Sequence, residues 1–405
     1  MVYAPPIMSK IWFAVVTTVL LACCRPETAR SEQQQWLAAW ACAPQLTEQR
    51  NLPPQPGLSS NTLRQIVRTT VAGKSLRARF SNAFGDAPLT IASAHAAMSV
   101  GHGDIDVSTD KPIEFGHSPS ITIAPGTDVV SDPFDFDLPQ RTLVAVTIHF
   151  GAVGAAVTGH PGSRMTSYLT AGDAVIAPNA QGAATTQHWY ILTGLDAMAP
   201  EPAGAIVAFG DSITDGRGST TDGNDRWPDE LANRLTNGAA ARISVINAGI
   251  GGNAVVTGGL GPTALSRFDR DVLAPPGVRW LILFEGVNDI GSSASTNVSA
   301  KLISAYQTML AKARSHKIRV YGATITPFGA SFYDSPRHEQ ARQSVNYWIR
   351  NSGAFDAVID FDSVARDPNS PSKLEPAYDT GDHLHMNPAG YRALADSIDL
   401  HLFAP

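Results

Sequence analysis

The chain of 405 residues has only three cysteines, Cys23, Cys24 and Cys42. Processing near the amino terminus would remove or modify the first two, and a single mature thiol at Cys42 forms no internal disulfide, so the fold must rest on its core. No Cys/His spacing matches a zinc site, and the expectation is an activity with no metal and no organic cofactor. Basic runs are also missing, and the net charge is −6. A nucleic-acid partner would need a basic stripe to neutralise phosphates, so that class is set aside. Charged residues are only 16% and apolar residues 43%, the balance of a globular protein with a sizeable core. The length predicts about two to three domains.

Long apolar runs are scarce. Ile11 to Ala22, preceded by Lys10, is too short to span a bilayer and suits the h-region of a signal peptide, with Met8 as an alternative start. Two cleavage readings compete. Leu20-Leu21-Ala22-Cys23 resembles a lipobox, which would lipidate Cys23 and tether the protein to a membrane. Ala29-Arg30-Ser31 would instead release a chain beginning near Glu32. The expected order is therefore a leader over 1–31, then domains over 36–200 and 201–405, in an exported or periplasmic protein with a membrane partner only through Cys23.

What is present divides into two rhythms. Up to Pro200 the pattern is strand-like: Val144, Val146, Ile148 and Phe150 alternate with Leu143, Ala145, Thr147 and His149, and Leu76, Ala78 and Phe80 alternate with Arg77 and Arg79. Turn signals such as Ala124-Pro125-Gly126-Thr127 separate the runs, which predicts an all-β, sandwich-like region. After Pro202 strands alternate with helices. Strands are predicted at 205–209, 243–246, 280–284, 319–324 and 357–360, with helices opening at Trp227 and spanning 299–315 and 337–350. Alternation of this kind implies a parallel sheet covered by helices, with its reactive edge at the strand carboxyl ends.

Four segments follow these strands or lie near the carboxyl terminus: Gly210-Asp211-Ser212-Ile213, Asn247 to Asn253, Glu285-Gly286-Val287-Asn288-Asp289, and Asp382-His383-Leu384-His385. Each alone reads as a cap, a turn or a polar loop. Their conjunction, in order and in strand context, resembles the blocks of the SGNH (GDSL-type) esterase family, in a bacterial branch with an amino-terminal β-rich region. The resemblance implies a three-layer α/β/α fold.

The chemistry is consistent with that resemblance. A serine hydroxyl is a weak nucleophile until a base takes its proton, and a carboxylate must then fix the tautomer of the base. Ser212 is the expected nucleophile, His385 the base and Asp382 its orienter, three residues apart and able to face one side. The family implies an oxyanion hole from the backbone N–H groups of Ser212 and Gly252 and the amide of Asn288, each donor worth on the order of 3 kcal/mol. It also implies that Asp211 braces the active-site loops, while His383 stands near enough to line the cleft. An α/β-hydrolase would require Gly-x-Ser-x-Gly, which the chain lacks. Asp222-Gly223-Asn224-Asp225 lacks the distant glutamate of a calcium loop and reads as a surface turn. His95, His102, His117, His149, His160 and His188 read as solvated or core histidines.

The expected reaction is carboxylic ester hydrolysis through an acyl-enzyme, on acetyl or other short acyl esters of small molecules or polysaccharides. Lipid ester hydrolysis, acyl transfer to a sugar hydroxyl and non-catalytic carbohydrate binding are the alternatives.

Overall fold

In the computed structural model, which describes residues 1–6, 8, 34–201 and 203–404, the second half is built on five parallel strands. Their order is Ile243–Gly249, Gly204–Gly210, Val278–Phe284, Arg319–Ala323 and Ala357–Ile359. The apolar run 11–22 and the two cleavage readings lie outside the described residues. Each of the five strands falls on a run expected from the sequence. The strand Gly204–Gly210 is buried along its whole length, which is why it reads as an unbroken apolar run rather than an alternating one.

The chain enters this sheet at its second position, leaves to one side at Ile243–Gly249, and returns to the other at Val278–Phe284. The strand Gly204–Gly210 is therefore the topological switch point, where a crevice opens at the carboxyl ends of the strands. Helices cover both faces. Val298–Ser315 packs on Pro336–Asn351, and Trp227–Arg234 packs on Pro388–Asp396. Leu302, Tyr306, Met309 and Leu310 are all buried along one stripe of the first helix, as their spacing predicts. Proline stands in the first turn of three of these helices, where its missing N–H costs nothing, and Ser335 and Asn387 cap two of them.

Residues 34–200 form antiparallel sheets around a second apolar core. One sheet holds Gln34–Ala41, Leu192–Pro200, Gly73–Ser81, Asp128–Val130 and Phe134–Leu138; a seven-stranded sheet centres on Leu143–Phe150. Here the simple alternation gives way. Ala145 and Thr147, expected on an outer face, are as buried as Val144 and Val146. The cause is the buried Arg64 on the neighbouring strand, which donates to Thr147 Oγ1 at 2.9 Å and to the carbonyls of Gly103 and Ala177. Both faces of that central strand are covered.

The two halves are not separate bodies, since residues 33–405 form one compact unit. Their cores exchange members: Ala38 and Ala43 pack with the α/β core, and Ala203 and Ala205 with the β core. Ile243–Gly249 would be an exposed sheet edge, a template for aggregation. Thr70 covers it, its hydroxyl accepting the Val245 N–H at 3.0 Å, and the Ala38 N–H reaches the Pro276 carbonyl at 3.0 Å.

Candidate active site

Ser212 opens a single helical turn directly after the switch-point strand. Asp211 accepts the Ile213 N–H at 2.9 Å and so caps that turn. The cap leaves the Ser212 N–H, in the first helical position, outside the intrahelical ladder. Gly249, at the end of the adjacent strand, makes this packing possible: a Cβ there would come within 2.3 Å of the Asp215 backbone nitrogen.

The hydroxyl of Ser212 lies 2.8 Å from His385 Nε2, and His385 Nδ1 lies 2.7 Å from Asp382 Oδ2. A carboxylate facing Nδ1 keeps the ring proton there, which leaves the Nε2 lone pair to accept from the serine. Asp382 builds its own turn, because Oδ1 accepts the N–H groups of Leu384 and His385 at 3.0 and 2.8 Å. Burial works against its ionised form, but these N–H donors and the His385 ring outweigh it and bring the carboxyl down to about 2. His385 is pushed the other way. Burial lowers its pKa below the ordinary 6.5, Asp382 opposes that, and the charges of Arg217 and Arg164 add to the lowering.

Gly252 and Asn288 follow the two flanking strands and line one cleft with Ser212 and His385. Gly252 has φ +71°, a left-handed conformation that suits glycine. Its N–H meets no acceptor among the described residues, while its carbonyl accepts from the Leu260 N–H. Asn288 Nδ2 donates to the Asn253 carbonyl at 2.7 Å, and its Oδ1 accepts from the Tyr333 hydroxyl at 3.0 Å. With both ends of the amide held, the second Nδ2 hydrogen remains for a ligand in the cleft. The arrangement brings together all six residues expected from the sequence. Asp211 acts on its own helix cap, whereas bracing between loops falls to Asp289, which accepts the Val255 and Val256 N–H groups at 2.7 and 3.0 Å. His383 is exposed and turned to Asp379, 2.6 Å away, and does not line the cleft.

Three contributors are not evident from the sequence. Arg267 is fully buried beneath the site and ties three strand ends together: it donates to the carbonyls of Ala248 and Gly210 and pairs with Glu285 and Asp271. Burial pushes the neighbouring Asp211 carboxyl up to about 7 and Glu285 well above its usual range. Tyr333 orients the Asn288 amide from a loop after Phe328. His160 comes from the β-rich half: Nε2 faces Asp215 Oδ1 and Nδ1 faces the Ala43 carbonyl, both at 2.9 Å, with the ring stacked on Trp189. The β-rich half also supplies Gln45, Glu48, Arg50, Asn51, Pro161, Gly162 and Arg164 to the wall of the cleft, whose volume is about 240 Å³.

No curated protein matches the chain. Among solved structures, a member of the lipolytic protein G-D-S-L family from Veillonella parvula is 21% identical, with a TM-score of 0.36 over 50% of this chain and 98% of that one. A catalytic mutant of an acetylxylan esterase from Geobacillus stearothermophilus is 18% identical, with a TM-score of 0.37 over 48% and 91%. A carbohydrate acetylesterase family member from Sinorhizobium meliloti is 15% identical, with a TM-score of 0.39 over 49% and 97%. The model of the GDSL-like lipase/acylhydrolase family matches residues 208–393, the stretch that runs from the switch-point strand through Ser212, Gly252, Asn288, Asp382 and His385. The chain thus carries a GDSL-like lipase/acylhydrolase domain over residues 208–393, the domain of a carboxylic ester hydrolase.

Proposed function

We propose that the protein is an exported hydrolase of short acyl esters, acetyl esters foremost, that works through an acyl-enzyme on Ser212. The observation that carries this reading is the relay from Ser212 Oγ to His385 Nε2 and from His385 Nδ1 to Asp382, with distances of 2.8 and 2.7 Å. His385 takes the serine proton as Oγ attacks the ester carbonyl, and the imidazolium so formed is steadied by Asp382. The oxyanion is received by the N–H groups of Ser212 and Gly252 and by Asn288 Nδ2. His385 then protonates the departing alkoxide, and water repeats the sequence on the acyl-enzyme.

The preference for short acyl groups rests on the cleft. Its wall mixes charged and amide side chains with a few larger apolar ones, Leu260, Phe332, Tyr333 and Leu384, which form no continuous apolar channel of several side chains. A long acyl chain gains about 0.8 kcal/mol per buried CH₂, and this wall offers little surface for it. Export is read from the apolar run 11–22 of the sequence. Rates across p-nitrophenyl esters of increasing chain length, run beside acetylated glycans, test the reading. Acetate or butyrate should be fastest, with acetate released from the glycans. A preference for long chains with no acetate release overturns it.

A further inference from the structure

We propose that the cleft beside Ser212 contains an anion subsite, formed by Arg50, Arg164 and Arg217, that selects esters of acidic sugars by their carboxylate. The inference rests on the ester hydrolase reading of Ser212 and names its substrate class.

All three arginines line the cleft with Ser212 and His385. Among the described residues none of their guanidinium groups has an ion-pair partner, although the chain is acidic overall. The two carboxylates in the same wall are already engaged. Glu48 accepts from Gln45 Nε2 at 2.8 Å and from Asn51 Nδ2 at 2.9 Å, and Asp215 faces His160. Three arginines against these two carboxylates leave the cleft wall with a net positive charge.

The backbone beneath each guanidinium is fixed while the head is left open. The Arg217 N–H donates to the Ser212 carbonyl at 2.9 Å and its own carbonyl accepts from the Tyr391 hydroxyl at 2.5 Å. Arg50 sits in a short helical turn whose next residue, Asn51, accepts from the Tyr190 hydroxyl at 2.7 Å. Arg164 carries two local costs. Its φ is +54°, a left-handed conformation that a residue with a Cβ seldom adopts. Its Nε is also buried without a hydrogen-bond partner, on the order of 1–3 kcal/mol for such a group. Asp222, from the turn read as a failed calcium loop, clamps this segment. Its carboxylate accepts the Thr166 N–H and hydroxyl at 2.6 and 2.7 Å, and its own N–H donates to the Arg164 carbonyl at 2.8 Å. A strained, clamped loop that presents an unsatisfied guanidinium to a catalytic cleft is organised to hold an anion.

Planar guanidinium forks match carboxylate and phosphate oxygens equally well. A sugar carboxylate is favoured over a lipid phosphate because Gln45 and Asn51 stand beside the arginines, where a lipid chain would need apolar surface. The test uses the mature chain and acetate release from an acetylated methyl glucuronide, from the neutral acetylated methyl glucoside, and from acetylated glycerol 3-phosphate. The glucuronide should be favoured over the glucoside about tenfold in kcat/KM, and that ratio should fall toward one in Arg164→Gln/Arg217→Gln. Arg217→Gln alone, an exposed side chain, should lower the ratio without changing the melting temperature. Equal rates for glucuronide and glucoside in the wild type overturn the subsite, and fastest release from the glycerol phosphate overturns the sugar assignment. If Ser212→Ala still releases acetate at the wild-type rate, the reading of the site falls and takes the subsite with it.

Discussion

His160 Nε2 lies 2.9 Å from Asp215 Oδ1, so a histidine of the β-rich half grips the helical turn that carries Ser212. Both groups are buried, and the second ring nitrogen faces the Ala43 carbonyl. The β-rich half thus holds the catalytic turn from behind and walls the cleft in front. Removing one partner of such a buried hydrogen bond to a carboxylate costs about 1.5–3 kcal/mol. His160→Ala should lose that much in urea unfolding, while His160→Ala/Asp215→Asn should recover part of it. Additive losses would mean that the two residues do not act on each other.

The same dependence governs truncation. A fragment of residues 201–405 would expose the Ile243–Gly249 edge now covered by Thr70, along with the apolar surface under Ala38 and Ala43. It should aggregate on size-exclusion chromatography. Thr70→Val in the full chain, which leaves the Val245 N–H unpaired, should cost about 1–3 kcal/mol.

Tyr333 acts through Asn288. Its hydroxyl donates to Asn288 Oδ1 and so fixes the amide, leaving the second Nδ2 hydrogen for the oxyanion of the proposed mechanism. Asn288→Ala should lower kcat by about 10²–10³ with little change in KM. Tyr333→Phe should show the same pattern at about tenfold, since the bond to Asn253 still restrains the amide. A KM effect alone would assign Tyr333 to substrate contact instead.

The pH dependence follows from His385. Burial holds its pKa below 6.5, so the neutral base persists into mildly acidic solution and kcat/KM should rise through an apparent pKa below 6.5 to a plateau. Asp382 stays ionised down to about 2 and does not contribute to that limb. Asp382→Asn removes the charge that favours the imidazolium, so the limb should move to still lower pH while kcat falls by about 10³–10⁴. An upward movement would contradict the orientation of the ring. Replacing Arg217 by Gln removes a cation facing His385 and should move the limb up.

Much of the catalytic half was legible because its signals are local. Gly210-Asp211-Ser212, Asn288 and the Asp382–His385 pair each sit within a few residues of a strand end or of each other, and continuous apolar runs mark buried parallel strands. What escaped is set by contacts distant in sequence. His160 and Asp215 are 55 positions apart and Tyr333 and Asn288 are 45 apart, and neither pair has a spacing that periodicity can register. Arg267 carries no motif of its own in the sequence and proves to be the buried tie between three strands, while Arg64 covers the outer face of a strand that alternation predicts to be open.

The central claim is that Ser212 forms the covalent intermediate. Treating the protein with an activated dialkyl phosphate ester and mapping the adduct by peptide mass spectrometry tests this most directly. One phosphoryl group should appear on Ser212, in step with loss of p-nitrophenyl acetate hydrolysis, and Ser212→Ala should be neither labelled nor active. Labelling at another residue, or an active Ser212→Ala, would contradict the account.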